Sequence, residues 1–221
     1  MQRHHKLTPG IAIYQQGRLF WQLSLCIVSY SMNIPITEQK VFEKADFRQA
    51  PLALGEYEEC RFINCNFNTA DLSGLTFRKC RFDGCDLSLA KVRNSSLQEV
   101  KFSGCKLLGV QFSECRTFLL QLAFEDCMLK LALFCKLKLK NIRFKNCTLQ
   151  EADFTEADLS GAEFEQCDLL LCTFMHTNLE KADFRSAFNY SINPETNRLR
   201  KARFSLAGVP GLLDQYDIAI E

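Results

Sequence analysis

Apolar residues in this chain recur neither every 3.6 residues, as on a helix face, nor every second residue, as in a strand. They recur every five. In "EADFTEADLSGAEFEQCDL" (151–169) the bulky positions are Phe154, Leu159, Phe164 and Leu169, and a small residue stands two before each: Ala152, Ala157, Ala162 and Cys167. The same comb starts at Phe42 and slips once, by two residues, within "RTFLLQL" (116–122). It resumes at Phe124, runs to Phe184 and returns at Leu199 and Phe204. A short, sustained period of this kind predicts a solenoid in which each five-residue unit is one side of a coil.

Stacking the comb every fourth unit shows how many sides a coil has. One column is then entirely phenylalanine: Phe42, Phe62, Phe82, Phe102, Phe124, Phe144, Phe164, Phe184 and Phe204. The second runs Phe47, Phe67, Leu87, Leu107, Leu129, Leu149, Leu169, and the third Leu52, Leu72, Val92, Phe112, Phe134, Phe154, Phe174. The fourth is Tyr57, Phe77, Leu97, Thr117, Leu139, Leu159, Leu179, Leu199. The cysteines keep the same register: Cys65, Cys85, Cys105, Cys127, Cys147 and Cys167 each lie two before the second column. Cys60 and Cys80 begin a similar file that Val100, Leu122, Ile142 and Ala162 continue. Both files are expected inside, where a small residue must fit beside each large one at native packing density.

The units "KADF", "TADLSG", "CDLSLA", "EADFTEADLSGAEF" and "KADFRS" follow an A-(D/N)-L-x-x pattern that resembles the pentapeptide-repeat family over roughly residues 40–206. The resemblance implies an all-β fold, a right-handed quadrilateral parallel β-helix of about eight coils with a C-terminal cap. Coils at strand spacing, about 4.8 Å, would make a rod roughly 40 Å long. The expected organisation is an N-terminal extension (1–31), the β-helix (32–206) and a cap (207–221). In the cap, Asn193-Pro194 turns the chain, "GLLDQY" reads as a short helix and "DIAIE" as a terminal strand. Leu206, Val209, Leu212, Leu213, Ile218 and Ile220 are expected to cover the last coil or to meet a second subunit.

Residues 1–31 break the pattern. They hold Arg3, Lys6 and Arg18, no acid, and the apolar run "RLFWQLSLCIVSYS" (18–31). Three readings fit: translated upstream sequence with Met32 as the start, an accessory segment, or a signal peptide. The apolar run is short for a membrane span.

Catalytic and metal chemistry find little support. The chain has twelve cysteines and three histidines among its 221 residues. The cysteines sit where Ala sits in neighbouring units, so they read as buried hydrophobes in a reducing, cytoplasmic setting rather than as convergent zinc ligands. Cys135, off the comb, should point outward, either as an idle surface cysteine or as the best candidate for a reactive thiol. His176 belongs on an outward corner. The repeated Asp residues read as turn formers, and no phosphate loop is present. The expectation is no enzyme, no cofactor and no metal.

What remains is charge. The net value is +1, so nothing pulls the whole chain to nucleic acid. Its distribution is banded, however. Residues 78–148 hold 14 bases and 6 acids, a net of +8, whereas residues 149–190 hold 9 acids and 2 bases, a net of −7. The resemblance includes Qnr-type quinolone-resistance proteins, which imitate DNA, bind type II topoisomerases and dimerise through C-terminal elements. By that resemblance, Asp153, Asp158, Glu163, Asp168, Glu180 and Asp183 are candidate phosphate surrogates on an acidic face, the partner is DNA gyrase or topoisomerase IV, and a homodimer forms through the C-terminus. The alternative is a general protein-interaction scaffold. The belt Lys136, Lys138, Lys140, Arg143 and Lys145 supports it, because a basic belt is the wrong sign for a DNA mimic. Direct nucleic-acid or membrane binding is not expected.

Overall fold

The computed structural model describes residues 34–216, 218 and 219. The expectations for residues 1–31, for Met32 as a start and for Ile220 lie outside the described residues. The chain winds into a parallel β-solenoid with four walls. On the first wall, β2 (Val41–Glu43), β4 (Arg61–Ile63), β6 (Arg81–Asp83), β8 (Val100–Ser103), β9 (Leu122–Glu125), β10 (Arg143–Lys145) and β11 (Glu163–Glu165) form a seven-stranded sheet in chain order. On the fourth wall, β1 (Ile36–Glu38), β3 (Glu56–Glu58), β5 (Thr76–Arg78) and β7 (Ser96–Gln98) form a second sheet. The other two walls pair through single parallel bridges such as Asp46↔Asn66↔Asp86 and Leu133↔Asp153↔Thr173.

Register follows the comb. Phe42, Phe62, Phe82, Phe102, Phe124, Phe144 and Phe164 are direct partners in the first sheet. Their rings continue as one stack to Phe184 and Phe204, with centroids 4.6–5.3 Å apart. A second stack, Phe112–Phe134–Phe154–Phe174, meets it edge-on, for example Phe124–Phe134 at 6.0 Å and 79°. Offset stacking within a column and edge-to-face contact between columns are the two favoured arrangements of aromatic rings, and together they fill the interior.

The period of five has a backbone cause. Two residues after most inward bulky residues the chain turns a corner, and that residue is left-handed, as at Asn64 (φ 51°), Asn146 (φ 51°), Glu156 (φ 58°) and Gly161 (φ 71°). At the strand side of the corner, an Asp or Asn oxygen accepts the backbone N–H two residues on, as Asp153 does from Thr155 (2.8 Å) and Asp158 from Ser160 (3.1 Å). This Asx turn is the role expected for the repeated Asp.

Three expectations need correction. About eight coils were expected, but seven strands on the first wall mark about six turns of regular solenoid. Beyond β11 the pairing thins to single bridges such as Glu163↔Asp183 and Asp183↔Arg203. Thr117 does not fill the fourth column. It is exposed, and Leu120 turns in against the core instead, because the two inserted residues leave room for the larger side chain. The cap contains two 3-10 helices, Leu206–Leu212 and Asp214–Tyr216, and Ile218 and Ala219 form no strand.

Candidate functional site: the outer faces

The interior offers no chemistry. Phe62, Phe82, Phe102, Phe124, Phe144, Phe164 and Phe184 are buried, as are Cys65, Cys85, Cys105, Cys127, Cys147 and Cys167. Every described cysteine is a free thiol, and among the described residues no group of His, Cys, Asp and Glu could hold a metal ion. The thiols do more than fill space. Cys85 donates to the Phe62 carbonyl and Cys105 to the Phe82 carbonyl, both at 3.2 Å. On the fourth wall the Thr177 hydroxyl makes the same bond to the Phe154 carbonyl (2.9 Å), and the Asn197 amide to Phe174 (2.9 Å). A small donor two before the bulky residue thus adds a hydrogen bond to a carbonyl of the preceding coil, in the Phe154 case one that also accepts the Ala157 N–H. Burial pushes the Cys80 and Cys172 thiols up to about 12. Cys135 is half-buried rather than outward. Burial and then the neighbouring Asp153 push it up to about 11, which is the opposite of an activated thiolate. His176 is an exposed left-handed corner.

The six acidic residues do not share a face. Asp153 lies on the third wall, Asp158 and Glu180 on the fourth, Asp168 on the second, and Glu163 and Asp183 on the first. Only that last pair is in direct register. Several are neutralised by the neighbouring coil. Arg143 grips Glu163 at 2.7 Å, Lys140 reaches Asp158 at 3.5 Å, and Arg185 and Arg203 both reach Asp183 at 2.9 Å. Lys130–Glu151 (2.9 Å) and Lys136–Glu156 (3.8 Å) complete the seam between the basic and acidic bands. Gln150 and Asn189 donate to Asp168. The sequence placed these charges in bands along the chain but did not show that they pair across coils.

Hydrogen bonding holds the turn-forming carboxyls low. At Asp158 burial pushes up, but the Ser160 bonds and Lys140 outweigh it. At Asp183 the Arg185 hydrogen bonds lead, Asp71 is lowered by the Ser73 bonds, and at Asp86 burial pushes up but the Ser88 bonds and Lys106 outweigh it. A carboxyl lowered in the fold stabilises above its unfolded value, about 3.9 for Asp, and that stability is lost as pH falls through the folded value. Denaturation midpoints should therefore be nearly flat from pH 7 to about 5 and drop below about pH 4. A protein equally stable at pH 3 and pH 7 would contradict these Asx turns.

At the C-terminal end, Leu206 is 90% exposed, Ile218 55% and Val209 36%. Leu212 packs against the core and Leu213 is half-buried. Beside the cap an open groove of about 540 Å³ is lined by Leu170, Leu171, Phe188 and Tyr190. Among the described residues no helix is long and apolar enough to cross a membrane.

Sequence comparison agrees with this architecture. The family signature described as pentapeptide repeat region matches residues 55–134 and 75–154, and pentapeptide repeats match residues 152–188. The chain belongs to the pentapeptide-repeat family. No curated protein matches it. Among solved structures, a trypsin-treated variant of QnrB1, described as a plasmid-mediated fluoroquinolone resistance protein, aligns at 22% identity and TM-score 0.57, covering 85% of this chain and 92% of that one. Full-length QnrB1 aligns at 18% identity and TM-score 0.55, covering 83% and 100%. HetL, a pentapeptide-repeat protein from the cyanobacterium Nostoc, aligns at 17% and TM-score 0.34, covering 76% and 86%. The two QnrB1 likenesses show the shared fold.

Proposed function

We propose that this pentapeptide-repeat chain is a non-enzymatic binding rod that acts in the cytoplasm, and that its partner is a type II topoisomerase, DNA gyrase or topoisomerase IV, bound in place of DNA. Quinolone protection would follow from that binding. The observation that carries a binding role is the filled interior. With both aromatic stacks and the thiol file buried, only the outer walls are left to act. The topoisomerase reading draws on the fold likeness to QnrB1 and on the net −7 of residues 149–190. Homodimerisation through exposed Leu206, Val209 and Ile218 would bring two acidic ends together and double the negative field.

A second reading, a general protein-interaction scaffold with no topoisomerase role, is favoured by the ion pairs from Arg143, Lys140, Lys136 and Lys130 into the acidic band. A mimic of DNA should leave its carboxylates unpaired. Gyrase supercoiling in the presence of ciprofloxacin separates the two. Micromolar protein is expected to restore supercoiling or to inhibit it directly; no effect at any concentration leaves the scaffold reading.

A further inference from the structure

The one insertion in the solenoid falls at a corner between the fourth and first walls, in the file of corner residues Glu59, Lys79, Glu99 and Asn141. With Leu120 turned in, the other residues must leave the surface: Phe118 is 74% exposed and Leu119 is 60% exposed. An aromatic ring this exposed costs hydration free energy without giving the fold anything in return. The bulge also raises a ridge with an open groove on each side. One, of about 370 Å³, is lined by Lys79, Arg81, Glu99 and Lys101. The other, of about 620 Å³, is lined by Glu99, Leu119, Lys138, Lys140 and Arg143.

The cations around this ridge are arranged unlike those at the seam. Arg81 and Lys101 on the first wall and Arg116 and Lys138 on the fourth are exposed, span three successive coils, and make no ion pair among the described residues. Arg61, Arg81 and Lys101 are direct register partners on the first wall, and like charges placed opposite one another on a sheet repel. A negatively charged occupant would relieve that repulsion.

We propose that the corner insertion at 117–121 and its two flanking grooves dock an acidic segment of a protein partner, with Phe118 as the apolar anchor and Arg81, Lys101, Arg116 and Lys138 as a cationic rail. Between two and three coil steps separate the first and last cations along the axis, about 13 Å, which is the reach of about four extended residues. The rail selects acidic side chains. The anchor selects a polypeptide over a phosphate backbone, because a partner phenylalanine or leucine can pack on the Phe118 ring and a phosphate backbone offers that ring no apolar surface. This site lies in the basic middle of the rod, so it stands whether or not the acidic band meets a topoisomerase.

Fluorescence anisotropy tests it with the full chain and a labelled peptide of Asp and Glu around a central Phe-Leu pair. Micromolar binding is expected, weakened about tenfold by Phe118→Ser and about tenfold by the pair Arg81→Glu and Lys138→Glu. Arg198→Glu, further along the fourth wall, should leave it unchanged. All four replaced side chains are on the surface, so thermal melting should confirm that each variant folds. Absence of binding, binding indifferent to Phe118 and the rail, or an oligonucleotide of equal charge binding as tightly as the peptide would each overturn the proposal.

Discussion

Phe144→Ala is expected to cost about 3–5 kcal/mol, the usual range for deleting a fully buried ring. Phe144 has no exposed surface. It lies between Phe124 (5.3 Å) and Phe164 (5.2 Å) and meets Phe134 and Phe154 edge-on at 5.8 and 5.9 Å. One truncation thus removes four aromatic contacts, and a parallel β-coil hydrogen-bonded above and below cannot collapse to refill the space. Because repeat arrays hold together through nearest-neighbour interfaces, a void in the middle also weakens the link between the two halves. Denaturation followed by circular dichroism should show a lower midpoint and a broadened or split transition. Phe204→Ala is the control. Phe204 is only half-buried and ends the stack, so its loss should be well under half as large. Equal costs at both positions would mean that the stack is not the core's organising element.

Cys147→Asp is expected to abolish cooperative folding at neutral pH, whereas Cys147→Ala should cost only about 1–2 kcal/mol. Cys147 is buried, and its thiol reaches no further than the Lys145 carbonyl at 3.2 Å. A carboxylate there would have no cationic partner and would lose several kcal/mol of hydration. Alanine is tolerated because the small-residue files already alternate. Ala162 and Ala182 are fully buried in the file that Cys60 and Cys80 begin, and Ala152 in the one that ends at Cys172. If Cys147→Ala were as damaging as Cys147→Asp, the thiol would have a role beyond packing and a weak hydrogen bond.

The corner positions explain why so much of the rod was readable from the chain. Every coil asks the same of its residues: a bulky side chain facing the axis, a small one two before it, an Asp or Asn to close the turn, and a left-handed corner. Asn64, Gly84, Gly104, Asn146 and Gly161 supply that corner with residues that tolerate it. Others, such as Leu131 and Leu171, adopt it too, so residue type at the corners alone would have left the turn undetected. The comb detected it instead. The outer faces were much less readable. Residues 149–190 formed an acidic block in sequence, yet its carboxylates point from four walls, and several meet bases some twenty residues back.

Residue order was enough to reveal the repeat, the four columns, the all-phenylalanine stack and the thiol file, because each niche recurs coil after coil and selects the same residue type each time. The tertiary structure alone decided three things. It set Leu120 inward and Phe118 outward at the insertion, where the vacancy in the core and not the comb chose the side chain. It matched buried donors such as Cys85, Cys105, Thr177 and Asn197 with a carbonyl of the preceding coil, a pairing that exists only once coils stack at strand spacing. And it set which charges neutralise one another and which remain free, since partners a full coil apart in sequence meet only when that coil closes.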